Sequence, residues 1–326
     1  MQRFKNILYV VVPDAVNGVA FDHVVTLANN NQARLTVVKV IDKIPSNIKL
    51  SGRTFSTETL REKLVAEHQQ KLKALVSALG QNIEIQTKIL IGTPFLEIIR
   101  QIIRNKHDLV IKTAESGRLL DRVFGSDDMH LLRKCPCPVW LIKSKSPKAY
   151  HRILAAVDVD DYYPTEELKT RQSLNLQILE MASSLALSES SELHIVNAWE
   201  TIGEGVLRCV VMTRTEEKVI AYVEEVRQQY KQNLNLLIDR IISKLGQNAF
   251  EYLAPQTHLM KGSPRIEIPA LAKDIEADLV VMGTVARTGI PGFFMGNTAE
   301  TILNQLDCSV LAIKPPAFVT PIEMEH

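Results

Sequence analysis

Two groups of residues in the second half of this chain have the types and spacing to hold a small anionic molecule. One runs from Gly283-Thr284-Val285-Ala286-Arg287 through Gly289, Pro291 and Gly292 to Gly296-Asn297-Thr298, where a helix is expected from Ala299 to Leu306. Glycines let backbone amides approach a phosphate closely, and a helix N-terminus adds unpaired N–H groups and a favourable dipole. Arg287 adds a local positive charge. The other group is Asp158-Val159-Asp160-Asp161, where carboxylates suit a ribose hydroxyl or a divalent cation such as Mg²⁺. The structural alternatives are a glycine-rich turn capped by Asn297 or Thr298 and a solvated loop start. Neither G-x-x-x-x-G-K-[ST] nor G-x-G-x-x-G occurs, so this is neither a Walker site nor a dinucleotide turn.

Other constellations carry less. Asp127-Asp128 with His130 resembles an acid-base cluster, but it falls in the first turn of an expected helix, where acidic residues favour the dipole. Cys135-Pro136-Cys137 has no second Cys or His pair at ligand spacing, so burial is the expectation. No Ser/His/Asp arrangement follows from spacing, and no catalytic or metal-ligating residue is assigned. Arg100, Arg104, Lys106 and His107 read as an exposed helix end, and a net charge of +1 offers no global field for nucleic acid or an anionic membrane.

The elements that must position these residues occur twice. Gly92-Thr93-Pro94-Phe95-Leu96-Glu97-Ile98 and Asp108-Leu109-Val110-Ile111 return as Gly262-Ser263-Pro264-Arg265-Ile266-Glu267-Ile268 and Asp278-Leu279-Val280-Val281, at an offset of 170 residues. After a one-residue slip, Phe124-Gly125-Ser126 answers Met295-Gly296-Asn297, and Val139 to Lys143 answers Val310 to Lys314. A period of this size is a whole domain. The 326 residues therefore divide into domains at 1–147 and 148–316, with a tail at 317–326.

In the first half, strands are expected at Asn6 to Val12, Leu35 to Ile41, Ile83 to Ile89, Asp108 to Lys112 and Cys137 to Lys143. In the second they are expected at Arg152 to Asp158, Leu193 to Trp199, Gln256 to Lys261, Asp278 to Gly283 and Cys308 to Lys314. Near-continuously apolar strands separated by helical patterns imply parallel sheets covered on both faces. Each half thus reads as a five-stranded, doubly wound α/β unit. Ligands in such units bind beyond the carboxyl ends of the strands. The fifth strands leave an apolar sheet edge that must be covered, so the halves are expected to pair through them as an intramolecular pseudo-dimer. No stretch approaches the length of a membrane span, and a cytoplasmic protein is expected. Ile44 to Phe55 and Thr201 to Thr215 follow the second strand of each half. The latter includes the apolar Val206 to Met212, a packed segment, a lid or an apolar ligand wall.

These motifs carry a resemblance. Each half is similar to a universal stress protein domain, whose ATP-binding branch has the pattern G-x-x-G-x(9)-G-[ST] between the fourth strand and fourth helix. Gly283-x-x-Ala286-x(9)-Gly296-Asn297-Thr298 matches that spacing, with Ala286 and Asn297 as departures. Over nearly the whole chain the resemblance is to the tandem-domain E-type branch from Gram-negative bacteria. It rests on His130-Leu131-Leu132-Arg133-Lys134-Cys135-Pro136, Arg287-Thr288-Gly289-Ile290, Gly296-Asn297-Thr298-Ala299-Glu300 and the tail Thr320-Pro321-Ile322-Glu323.

The resemblance implies a Rossmann-like fold of the adenine nucleotide alpha hydrolase type and a cytoplasmic role in resistance to DNA-damaging and other stresses. It further implies that ATP or a related adenine nucleotide binds the second half. Asp158 would lie near adenine and ribose, and Ala198 would sit beside adenine through its backbone. Gly283, Thr284, Val285, Ala286, Gly296, Asn297 and Thr298 would lie around the phosphates, with Arg287 offsetting their charge. In the first half Val12 replaces Asp158, and Glu115 would repel a triphosphate. A sensor without enzymatic turnover, or with very slow ATP hydrolysis, is the leading expectation, with a further homodimer open. The alternatives are a binding module for an apolar or amphipathic metabolite and a purely structural tandem scaffold.

Overall fold

A computed structural model describes residues 4–12, 19–43, 49–50, 53–54, 57–77, 84–114, 124–201, 204, 216–284, 295–316, 318 and 319–324. The first half contains β1 (Asn6–Val10), α1 (Val19–Asn31), β2 (Arg34–Ile41), a small hairpin of β3 (Lys49–Leu50) and β4 (Arg53–Thr54), and α2 (Thr57–Ser77). It continues with β5 (Ile85–Ile91), α3 (Pro94–Asn105), β6 (Leu109–Thr113), α4 (Ser126–Lys134) and β7 (Val139–Ile142). The second half opens with β8 (Arg152–Ala156), α5 (Thr165–Glu189), β9 (Glu192–Trp199), α6 (Glu216–Leu245) and α7 (Gln247–Leu253). It closes with β10 (Gln256–Lys261), α8 (Pro264–Asp274), β11 (Leu279–Gly283), α9 (Asn297–Leu303) and β12 (Ser309–Ile313).

The two expected sheets are one. Ten strands run in the order β10-β9-β8-β11-β12-β7-β6-β1-β2-β5, parallel within each half. The halves meet at the single antiparallel step, where Val310 faces Leu141, Leu311 faces Trp140 and Ala312 faces Val139. Both fifth strands are completely buried there, so the edge each half would otherwise expose is paired. Further links cross this junction: Lys143 N–H donates to Ser309 Oγ at 3.1 Å, and Arg133 pairs with Glu300.

Alternate strand residues face opposite layers, as the pleat requires. Ile7, Tyr9 and Val11 join the core beneath α1, α2, α5, α6 and α7, whereas Leu8 and Val10 join the one beneath α3, α4, α8 and α9. Both cores run through both halves.

The repeated motifs have local causes. Gly262 sits at φ +145°, where an added Cβ would strike the Glu267 side chain, and it turns β10 into α8 with Pro264 in the first helical turn. Asp278 accepts the His151 and Arg152 N–H groups through Oδ2, as Asp108 accepts those of Lys5 and Asn6, pinning the start of each first strand.

Three expectations are corrected. The third strand begins at Ile85 and runs to Ile91, two residues later than the apolar run suggests. The last helix spans Asn297–Leu303, opening two residues before Ala299 and ending before Leu306. The end of α3 is not uniformly exposed, because His107 is buried and Arg100 is paired with Glu97 at 2.7 Å. Cys135 and Cys137 are buried with their Sγ atoms 3.6 Å apart. Among the described residues no helix is long and apolar enough to cross a membrane.

Candidate functional site

A cleft of about 350 Å³ opens at the carboxyl ends of β8, β9 and β11. Asp158, Ala198, Gly283, Thr284, Gly296 and Thr298 all line it. Asn297 is exposed and does not line it. Val285, Ala286 and Arg287 lie outside the described residues, as do Glu115 and the Val206 to Met212 segment.

Asp158 is held more firmly than a loop start would be. Asn175 of α5 clamps its backbone, accepting the Asp158 N–H at 3.1 Å and donating Nδ2 to its carbonyl at 2.6 Å. Asn197 Oδ1 accepts the next N–H, from Val159, and Asn233 donates to the Val159 carbonyl. Three amides from α5, β9 and α6 thereby fix the turn.

The carboxylate itself is engaged. Oδ1 accepts the Asp160 N–H at 3.2 Å. Oδ2 accepts Arg171 Nη1 at 2.7 Å and the Tyr163 hydroxyl at 3.3 Å. The Arg171 guanidinium stacks on the Tyr163 ring, with Cζ 3.4 Å from its centroid. Crowding by protein atoms pushes the Asp158 carboxyl above its ordinary range, and Arg171 opposes this. The side chain nevertheless keeps 45% of its surface open, which limits the push. Burial, then the neighbouring Asp158 charge, raises the Tyr163 phenol to about 12. Asp160, which also lines the cleft, accepts the Tyr162 N–H, and Asp161 accepts Gln229 Nε2. No group of three or more His, Cys, Asp or Glu among the described residues is arranged to hold a metal.

The opposite end of the cleft has a different character. Gly296 precedes α9 in an extended conformation that any residue adopts, and its N–H donates to the Thr284 carbonyl at 3.1 Å. The first residue of α8, Pro264, also lines the cleft, so two helix N-termini flank this end. Arg265 donates Nε to Thr298 Oγ1 at 3.4 Å, which adds an exposed cation beside the rim. Gly283 has a packing role: a Cβ there would lie 2.7 Å from Leu174 Cδ2. The walls between the two ends are apolar, built from Leu174, Ile178, Trp199, Ile268, Met282 and Ile302.

Arg171, Asn175 and Tyr163 belong to no motif, and Arg265 falls within the repeated Gly-Ser-Pro segment without being marked there as a site residue. The first two lie 13 and 17 residues beyond Asp158 on a helix whose face toward β8 only the packing reveals.

Among the described residues, the first half differs from the second at a position that lines the cleft. Lys112 occupies the strand position of Met282, and its Nζ lies 2.6 Å from Asp128 Oδ1, with side chains 3% and 0% exposed. Asp128 does stand in the first turn of α4, as expected, and it is in addition one member of a buried ion pair. His130 stacks on Phe95, with ring centroids 4.3 Å apart.

Comparison with known proteins agrees with this architecture. A model of the universal stress protein family matches residues 3–143 and 149–314. The chain is 30% identical over 330 residues to Universal stress protein E of Escherichia coli (strain K12), covering 100% of this chain and 98% of that one. It is 28% identical to the Universal stress protein E homolog of Haemophilus influenzae, covering 96% and 98%. A protein of unknown function from Pseudomonas aeruginosa PAO1 shares the fold, with a TM-score of 0.66 at 23% identity over 96% of this chain and 93% of that one. A universal stress protein from Archaeoglobus fulgidus does so with a TM-score of 0.56 at 16% identity, over 95% and 98%. Two tandem matches of the family model, a relative aligned end to end and the same fold in solved structures lead to one conclusion: the chain belongs to the universal stress protein family.

Proposed function

We propose that this protein serves a stress response by binding an adenine nucleotide in the cleft of its second half. The observation that carries this reading is the convergence of Asp158, Ala198, Gly283, Thr284, Gly296 and Thr298 on one cleft of about 350 Å³. That volume is in the range of small-molecule sites. The end flanked by two helix N-termini and Arg265 suits phosphate, the apolar walls suit a base, and the Asp158 end suits the polar edge of a nucleoside.

We further propose that binding proceeds without efficient turnover. Efficient phosphoryl transfer uses a positioned nucleophile or water together with several cations around the transferred group. Asp158, the best placed carboxylate, is committed to Arg171, Tyr163 and the Asp160 amide, which makes it a poor general base. Calorimetric titration with ATP should give one site in the wild type and much weaker binding in Gly296→Trp, whose side chain would fill the phosphate end. Equal affinity in both would move the site elsewhere.

The apolar walls favour one second reading, an amphipathic metabolite. Mass analysis of small molecules released from the purified protein separates the two: a nucleotide supports the first, a lipid-like compound the second.

A further inference from the structure

We infer that Arg171 sets the sugar selectivity of the cleft: by occupying Asp158 Oδ2 it leaves the carboxylate unable to receive both hydroxyls of a ribose diol, so that ribo- and 2′-deoxyribonucleotides bind alike. The inference rests on the nucleotide reading above and narrows it. A carboxylate beyond the carboxyl end of a strand can accept ribose hydroxyls, as one does in dinucleotide-binding sheets. It has about four acceptor positions, two on each oxygen. In Asp158, Arg171 and Tyr163 take both positions of Oδ2, and the Asp160 N–H takes one of Oδ1. One position remains, whereas a vicinal diol presents two donors.

Displacing the guanidinium is unfavourable. Arg171 is only 17% exposed, it stacks on the Tyr163 ring, and Glu167 lies 3.8 Å from its Nη2. A ligand hydroxyl would have to replace a charge-assisted bond, about twice as strong as a neutral one, and break the stack as well. The guanidinium is also structural to the cleft's shape. Together with Asp158, Asp160 and Asn175 it separates the main cleft from a second cavity of about 220 Å³ between α5 and α6. Arg171 comes from α5, with its Asp158 partner on the turn that three asparagines hold, so neither side of the pair is free to drift.

The test is titration of the wild type and of Arg171→Met with ATP and with 2′-deoxy-ATP. The wild type should bind the two with Kd values within about twofold of each other. In Arg171→Met, Asp158 Oδ2 is released to the sugar, and ATP should gain roughly tenfold over 2′-deoxy-ATP, the worth of one charge-assisted hydrogen bond. Adding Asp158→Asn to that variant should shrink the preference again. A tenfold preference for ATP in the wild type overturns the inference whatever the variant does, so the wild-type comparison decides even if Arg171→Met folds poorly. A folded variant that binds both nucleotides alike also overturns it. Both failures leave nucleotide binding itself intact, whereas absence of binding in every titration overturns the nucleotide reading and this inference with it.

Discussion

Lys314, one residue past the last strand of the second half, donates its Nζ to the carbonyl of Leu132 near the C-terminal end of α4 in the first half. The same Nζ donates to Thr284 Oγ1 at 2.6 Å, on a residue that lines the cleft. One side chain thus satisfies a carbonyl in the last turn of a helix in one half and a hydroxyl at the ligand rim of the other.

Burial lowers the Lys314 ammonium from 10.5 to about 7, against the opposing influence of Cys135 and Cys137. The folded protein therefore binds fewer protons than the unfolded chain between pH 7 and 10.5, and stability rises with pH through that window. Urea unfolding should show a gain of about 2 kcal/mol from pH 7 to pH 9. Lys314→Met should flatten that rise. Above pH 9 the gain levels off as Cys308, raised to about 12 by burial, comes to favour the protonated folded state and offsets the Lys314 contribution. A wild-type profile flat from pH 7 to 9 would contradict the assignment.

The Lys112–Asp128 pair is expected to be costly to break and cheap to replace. Lys112→Met alone takes the cation from beside a fully buried carboxylate and should destabilise by about 3–5 kcal/mol. The double variant Lys112→Met/Asp128→Ala reproduces the residues of the second half, Met282 and Ala299, and should recover most of that loss. Denaturant midpoints at constant m-value measure both, and a double variant as unstable as the single one would show that the pair holds the fold in another way.

Gly283→Ala should destabilise by about 1–3 kcal/mol through overpacking against Leu174. Adding Leu174→Ala removes the clashing branch, so the double-mutant cycle should show positive coupling. Simple additivity would mean that Gly283 is required for a reason other than that contact.

Acid should loosen the outer edge of the second half. His194 Nδ1 and His258 Nε2 lie 3.0 Å apart across β9 and the edge strand β10, and burial lowers both imidazoles. For His194, nearby Glu192 pulls upward and Arg152 adds to the lowering. A lowered histidine favours the folded state above its unfolded pKa and loses that stability as pH falls through 6.5 and below. Hydrogen exchange should accelerate in β10 between pH 7 and 5.5, after correction for intrinsic rates, and His258→Gln should blunt the change.

Much of this was legible beforehand, and the remainder was hidden for identifiable reasons. The 170-residue recurrence of Gly-[ST]-Pro-x-x-Glu and Asp-Leu-Val marks the same strand-to-helix turn and the same pinned strand start twice, so tandem α/β halves follow from it. Asp158 and the glycine rim are visible because strand ends and glycine spacing are local signals. Arg171 and Asn175 are not local: they meet Asp158 only because one face of α5 packs onto β8 and β11. Asp128 misleads for the opposite reason, since a first-turn acid has an adequate local explanation and its buried partner comes from a strand 16 residues earlier. The last helix ends at Leu303, and Leu306 is buried beyond it in irregular backbone, a position that periodicity alone reads as one more turn.

The antiparallel step between β7 and β12 changes what variation can do. When two identical chains associate about a twofold axis, every substitution is inherited by both partners, so a cleft cannot be closed in one without closing its twin. Joining the partners through residues 143–151 of a single chain removes that constraint. Lys112 and Asp128 can form a buried ion pair in one copy while Met282 and Ala299 line the cleft of the other, and the interface that both copies require survives the divergence.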